Sequence, residues 1–271
     1  MGGKGAWRVK LQGKTALVTG SAKGLGKRTA LELARMGCDV ALNYVTSRRE
    51  AEEVRRQIEN LGRRAIAIQA DVADPDGAEK LIRETERALG SVDILVNNAG
   101  PFIVERRLFA DYAPEDIRRL VSGNLIGPML LNRLALPGMR RKRWGRIIHF
   151  GFSRAAEAPA WPYRSVYASA KVALVSLTKT LAAEEAAYGI TVNMVCPGDI
   201  RGDYKEMDIG EAAGGAGDAD APGVRAGTGE DVARVVAFLC QPESDFVTGN
   251  AIEVSGGFDP IAKLSALLRQ S

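Results

Sequence analysis

Short apolar runs alternate with amphipathic segments along nearly the whole chain, and that rhythm restricts the fold more than any single motif does. The runs Thr15–Val18, Asp39–Asn43, Arg64–Ile68, Ile94–Asn97, Ile147–Phe150 and Thr191–Val195 have strand length and little polar character, as buried strands require. Between them, apolar residues at helical spacing predict helices over Lys27–Met36, Arg48–Leu61 and Asp76–Leu89. Strands separated by whole helices pair in parallel, and a parallel sheet needs helices over both faces. The expected fold class is α/β, a doubly wound parallel sheet in a single domain. The 271 residues suffice to bury a large core, and no repeat, linker or composition break divides them.

The turn after the first run is rich in glycine. It reads Gly20-Ser21-Ala22-Lys23-Gly24-Leu25-Gly26 after Val18 and Thr19. Glycine lets the backbone come close to a ligand, and the helix that follows opens with free N–H groups and a positive dipole end suited to a pyrophosphate. A connector without a ligand has the same composition, but strand, turn and helix in this order are the context a dinucleotide site requires. Far downstream, Tyr167-Ala168-Ser169-Ala170-Lys171 puts a phenol and an ammonium on one helix face, one turn apart. The lysine is expected to lower the phenol's pKa from about 10 and so fit it for acid–base work. Ordinary surface residues also occur at this spacing.

With the turn included, these residues resemble the short-chain dehydrogenase/reductase family. The turn has that family's Gly-x3-Gly-x-Gly spacing, and its further motifs follow in order: Asn97-Asn98-Ala99-Gly100, Asn124, Tyr167 with Lys171, Pro197-Gly198, Val247-Thr248-Gly249 and Gly256-Gly257. The resemblance covers residues 11–258 and implies a Rossmann-like, NAD(P)-binding catalytic domain between a polar tail, 1–10, and a C-terminal tail, 259–271. It implies that Tyr167 protonates a carbonyl oxygen as hydride arrives from the nicotinamide, that Lys171 holds the nicotinamide ribose, and that Asn124 anchors a water. For the cofactor it implies contacts from Gly20, Ser21, Lys23, Gly24, Leu25 and Gly26, from Asp71 and Val72 beside the adenine, and from Asn98, Ala99 and Gly100. Pro197, Gly198 and Ile200 would complete the site with Tyr167 and Lys171. The family pairs helices equivalent to Glu115–Met139 and Tyr167–Tyr188, so a homo-oligomer, dimer or tetramer, is expected.

An acidic residue ending the second strand would bind the ribose hydroxyls of NAD and repel a 2′-phosphate. Here the strand runs out in Asn43, Tyr44, Val45, Thr46, Ser47, Arg48 and Arg49, and Lys23 stands in the turn. Hydroxyls and cations at that place predict NADP(H). If Arg48 and Arg49 only begin the next helix, Lys23 discriminates alone.

Two positions depart from the family pattern. The substrate-binding serine aligns with Phe152, and Ser153 follows one residue later. Either a one-residue slip brings Ser153 into the role, which loops absorb more readily than strands, or the donor is missing. A cofactor-holding threonine falls on Gly202, with Arg201 or Asp203 as substitutes. These departures leave a non-catalytic NADP(H)-binding sensor as the alternative to an enzyme. Enoyl reductases of this fold usually separate the tyrosine and lysine by six residues; the three here match carbonyl and alcohol chemistry, on a small-molecule or 3-oxoacyl thioester substrate.

A formal charge of +4 falls short of a nucleic-acid footprint. The cluster Arg140–Arg143 reads as a solvated helix end, or else as a docking patch for an acidic carrier protein. The lone His149, placed at the core edge, and the scattered Cys38, Cys196 and Cys240 suggest no metal site, Ser-His-Asp relay or disulfide framework. No run reaches the ~18 apolar residues of a membrane span, and Met1–Lys10 carries no signal segment, so a soluble cytoplasmic protein is expected. Gly202–Gly229 is rich in Gly, Ala and Asp and is expected to be a mobile lid over the substrate. An amphipathic tail, Ile261–Leu268, is expected to pack on the body or on a partner subunit.

Overall fold

In the computed structural model, which describes residues 10–212, 225–259 and 261, the apolar runs become strands of one sheet. They are β1 (Thr15–Val18), β2 (Asp39–Tyr44), β3 (Ala65–Gln69), β4 (Ile94–Asn97), β5 (Gly145–Phe150), β6 (Ile190–Pro197) and β7 (Ala251–Val254). Every pairing is parallel, in the spatial order β3-β2-β1-β4-β5-β6-β7. The helices are α1 (Gly24–Arg35), α2 (Arg48–Asn60), α3 (Pro75–Leu89), α4 (Pro114–Val121), α5 (Gly127–Lys142), α6 (Ser165–Glu185), α7 (Ile209–Ala212) and α8 (Gly229–Cys240). This is a Rossmann-like single α/β domain.

Successive side chains of a strand point to opposite faces. Ala16, Val18, Ile94, Val96 and Ile148 pack on one side with Leu33 of α1, Val54 of α2 and Val236 of α8. On the other side, Leu17, Leu95 and Ile147 pack with Leu81 of α3, Met139 of α5 and Ala182 of α6. Both faces are dry, which is why the strands read as unbroken apolar runs; each large side chain so buried stabilises the fold by about 1.5–3 kcal/mol. Local signals set the helix starts. The Asp74 carboxylate accepts the Asp76 N–H ahead of α3, and Thr228 and Asp231 cap each other at α8.

The order reverses between β1 and β4, and a crevice outside the C-terminal ends of those strands is the binding place such a sheet creates. The expected helix Glu115–Met139 appears as α4 and α5 joined through a π-helical stretch, Ser122–Ile126, that contains Asn124. Such widened turns often sit at functional sites.

Arg140–Arg143 form the exposed C-terminal end of α5, as expected of a solvated helix end, and they also make bonds across the surface. Arg140 Nε donates to Glu185 at 2.7 Å, Lys142 Nζ to Asp93 at 2.8 Å and Arg143 to the Ala187 carbonyl at 2.8 Å, so the cluster ties α5 to its neighbours. All three cysteines are buried and free. Among the described residues no helix is long and apolar enough to cross a membrane, and no His, Cys, Asp and Glu group could hold a metal ion. Residues 1–9, 213–224, 260 and 262–271, which fall in the expected tails and lid, lie outside the described residues.

Candidate active site

The C-terminal ends of the central strands open into a cleft of about 860 Å³. Its first wall is the glycine turn, held by groups from three strands. Thr19 Oγ accepts the N–H groups of Asn98 at 3.0 Å and Ala99 at 2.9 Å, which latches the turn after β1 to the one after β4. Asn98 Nδ2 returns bonds to the Thr19 and Gly20 carbonyls. From β2, Asn43 Oδ1 accepts the Gly20 N–H at 3.2 Å while its Nδ2 donates to the Ala70 carbonyl at 2.9 Å. Ser21 Oγ donates to the Val18 carbonyl and accepts the Asn43 N–H. A Cβ on Gly26 would lie 2.4 Å from the Gly20 oxygen and 2.5 Å from Asn98 Nδ2, so only glycine fits this crossing.

Of the residues expected at the cofactor, Lys23, Gly24, Leu25, Gly26, Asn98 and Gly100 line the cleft from one side. Pro197, Gly198, Ile200, Tyr167 and Lys171 line it from the other. Ser21, Asn43 and Ala99 also direct polar groups to neighbouring backbone or to Thr19 and so help to build the turn. Gly20 likewise serves the turn. Tyr44 packs with Ala22 and Ala51, the Val72 side chain belongs to the core, and Asp71 Oδ1 accepts the Ala73 N–H at 2.9 Å. Thr46 and Arg48 are exposed beside half-buried Ser47. Lys23 pairs with Glu50 at 2.8 Å, and this bond holds the Glu50 carboxyl below its ordinary range. Sequence reading passed over that acidic partner.

The first N–H of α1 already faces an anion. Glu206 Oε1 accepts from Gly24 N at 2.7 Å, and Oε2 takes Lys27 Nζ at 2.6 Å. Arg28 pairs with Asp208, and the Ile209 N–H donates to Glu230 at 2.6 Å. Two described pieces of the expected lid, a short 3-10 turn, Gly202–Lys205, and α7, are thus fastened over α1. Gly202 has φ +50°, a backbone conformation in which a threonine would be strained. Arg201 pairs with Asp199.

Across the cleft, Lys171 Nζ lies 5.8 Å from the centre of the Tyr167 ring and donates to the Phe150 carbonyl at 2.8 Å. Burial lowers Lys171 to about 8 and pushes the Tyr167 phenol well above its usual value. The expected lowering of the phenol by its lysine is therefore corrected: burial, with Cys196 nearby, disfavours the phenolate. Asn124 Nδ2 donates to the Pro101 and Leu120 carbonyls, and its buried Oδ1 has no protein partner.

Both Phe152 and Ser153 line the cleft. Ser153 Oγ donates to Glu253 Oε2 at 3.0 Å, and the Arg154 N–H donates to Oε1 at 2.9 Å. Glu253 of β7 thereby clamps a turn in which Arg154 adopts φ +64°. The clamp brings Ser153 to the cleft but engages its only proton. Phe152 turns toward Trp161, with ring centres 4.9 Å apart, and toward Tyr167 at 6.2 Å. Phe102 meets Tyr167 edge-on at 4.9 Å. Sequence reading missed Phe102, Trp161, Glu206 and Glu253, since no local pattern marks them.

Behind α6, Asn97 Nδ2 donates to Asn132 Oδ1 at 2.9 Å, and Asn132 Nδ2 lies 2.9 Å from His149 Nε2. Thr178 gives its proton to the Leu174 carbonyl, so His149 donates from Nδ1 to Thr178 Oγ and accepts at Nε2. Burial, with Lys171 nearby, lowers His149 to about 3. This histidine is fully buried in the sheet, which corrects its expected place at the core edge.

Residues 20–259 match the family described as enoyl-(acyl carrier protein) reductase. A Bacillus subtilis protein bearing an oxidoreductase name, YtkK, is 46% identical over 251 residues, covering 92% of this chain and 97% of that one. A Staphylococcus aureus protein named 3-oxoacyl-[acyl-carrier-protein] reductase is 37% identical over 244 residues, 90% of this chain and 97% of that one. A Bacillus thuringiensis structure titled as a 3-oxoacyl reductase superposes with a TM-score of 0.85 at 43% identity, covering 92% and 99% of the two chains. A short chain dehydrogenase from Burkholderia cenocepacia in complex with NADP gives a TM-score of 0.77 at 36% identity, covering 92% and 98%.

Proposed function

The chain belongs to the short-chain dehydrogenase/reductase family of oxidoreductases, and from that premise we propose that it moves hydride between NADP(H) and a carbonyl or alcohol substrate. One observation carries the proposal: Tyr167 and Lys171, one turn apart on α6, line the same cleft as the glycine turn of α1.

The cleft fits a dinucleotide on its own chemistry. Gly26 admits a backbone crossing no other residue would, and Gly24 N with Lys27 already takes a carboxylate, so this helix start accepts anions. Gly24, Leu25, Asn98, Gly198 and Ile200 would hold the cofactor. Lys23, with Thr46 and Arg48 exposed beyond β2, supports a 2′-phosphate, as does the NADP in the Burkholderia relative. When bound, the nicotinamide supplies or receives the hydride.

The protein's own groups handle the proton. Tyr167, kept protonated by burial, donates to the carbonyl oxygen, and the Lys171 ammonium stabilises the phenolate left behind. Asn124 Oδ1 is an acceptor for a water that restores the proton. Ser153 donates to the substrate oxygen once its hydroxyl leaves Glu253. Phe102, Phe152 and Trp161 keep bulk water from the reacting atoms.

The three residues between Tyr167 and Lys171 support carbonyl chemistry over the enoyl reduction named by the matching family. A 3-oxoacyl thioester is a second reading, favoured by the names of the Staphylococcus and B. thuringiensis relatives. An exposed groove lined by Met129 of α5 and Leu177 of α6 supports a homo-oligomer, dimer or tetramer, pairing through these helices. Purified protein is expected to oxidise NADPH with at least one ketone of a broad panel, and Tyr167→Phe to lower kcat by about 10²–10⁴ while keeping cofactor affinity. Full activity in that variant would overturn the assignment of the acid. Cofactor binding without turnover of any carbonyl would favour the sensor alternative.

A further inference from the structure

We propose that the carbonyl presented to Tyr167 is carried on a flat aromatic ring, an aryl ketone rather than a linear acyl thioester. The inference rests on the reading above and names its substrate class. Four rings meet where the reacting oxygen must lie. Phe102 stands edge-on to Tyr167 at 4.9 Å and 87°, and Trp161 stands near-perpendicular to Tyr167 at 6.0 Å and 78°. Phe152, at the position where the family pattern has a small hydroxyl residue, backs Trp161 at 4.9 Å. All four line the cleft, and Phe102 and Trp161 keep part of their surface open to it.

These walls are fixed before any substrate arrives. Phe152 is only 4% exposed. The Arg164 guanidinium lies 5.0 Å from the Phe102 ring and donates to the carbonyls of Val104, Glu105 and Tyr163, which holds the loop carrying that ring. A planar ring settles on this aromatic wall of the cleft with few torsions to freeze, whereas an acyl chain must order several. Offset or edge-to-face contact between rings also adds attraction beyond the area covered, a factor of about 2–12 in affinity per ring pair. The polar group that sequence reading assigned to substrate binding, Ser153, is engaged with Glu253, which leaves the rings as the dominant surface near Tyr167.

In the reaction the carbonyl carbon gains hydride and the oxygen gains the Tyr167 proton; the aryl ketone becomes a benzylic alcohol and NADPH leaves as NADP⁺. The test compares propiophenone, pentan-3-one and the N-acetylcysteamine thioester of 3-oxobutanoate as substrates with NADPH. The expected kcat/KM for propiophenone exceeds both others at least about tenfold, and Trp161→Leu or the half-exposed Phe102→Leu lowers the aryl-to-alkyl ratio about fivefold or more. Preference for the thioester, or an unchanged ratio in both variants, would overturn the inference while leaving the reductase intact. Should no carbonyl be reduced, the functional reading fails separately. Calorimetric binding to the NADP⁺-loaded protein then decides the ligand class: tighter binding of propiophenone than of pentan-3-one, weakened in both variants, upholds it, and equal binding refutes it.

Discussion

At Lys171 the largest influence is loss of water, and it lowers the ammonium to about 8. Because that ammonium stabilises the phenolate formed when Tyr167 gives up its proton, kcat/KM for NADPH, which reports the free protein, is expected to fall as pH rises through about 8. A profile flat from pH 7 to pH 10 would contradict this. Ser153 poses the opposite question, since its hydroxyl must leave Glu253 to serve a carbonyl. Ser153→Ala is expected to lower kcat by about 10²-fold if the hydroxyl makes that exchange. A change under about threefold would show that it stays on Glu253 during turnover. Tyr167, Lys171 and Asn124 were legible in the chain because their spacing and order are local signals. The direction of the tyrosine's shift was not, because it depends on everything packed around the phenol, including Cys196 of β6.

Among the elements, the segment after β6 is tied down ahead of its glycine- and alanine-rich run, most of which lies outside the described residues: Glu206, Asp208 and Ile209 anchor the described part to α1 and α8. The Glu206 carboxylate occupies the first N–H of α1, where the dipole and free amides favour an anionic phosphate. Glu206→Gln removes the competing charge and is expected to tighten NADP⁺ binding about two- to thirtyfold, by the 0.3–2 kcal/mol typical of a charge at a helix end. Fluorescence titration of bound NADPH would check this, and weaker binding would show that the carboxylate instead supports the cofactor site. The π-helical stretch is the other element the sequence concealed. Its five residues continue the helical pattern without a break, so only the hydrogen-bond register reveals the widened turn that carries Asn124.

Over the whole molecule, the polar chain Asn97, Asn132, His149 and Thr178 joins β4, α5, β5 and α6 through the core. Its histidine titrates near 3 in the fold against 6.5 when free, so between those values the unfolded chain holds a proton that the native protein refuses. Stability from this group is complete above pH 6.5 and is lost as pH falls toward 3, by up to about 1.4 kcal/mol per pH unit. Urea unfolding between pH 7 and pH 4 should show that slope, and His149→Asn should reduce it by as much as one proton; an unchanged slope would place the acid sensitivity in the carboxylates. Light scattering bears on the same scale, and a monomer would refute the proposed oligomer. The sequence alone determined the parallel sheet, the glycine turn and the tyrosine and lysine pair, because side-chain period, the steric demand of glycine and helical spacing act over a few residues. Tertiary structure alone decided where the Ser153 proton goes, what occupies the start of α1 and which rings face the substrate. Those outcomes depend on desolvation and on competition among partners as far apart as the 100 residues from Ser153 to Glu253 and the 182 from Gly24 to Glu206.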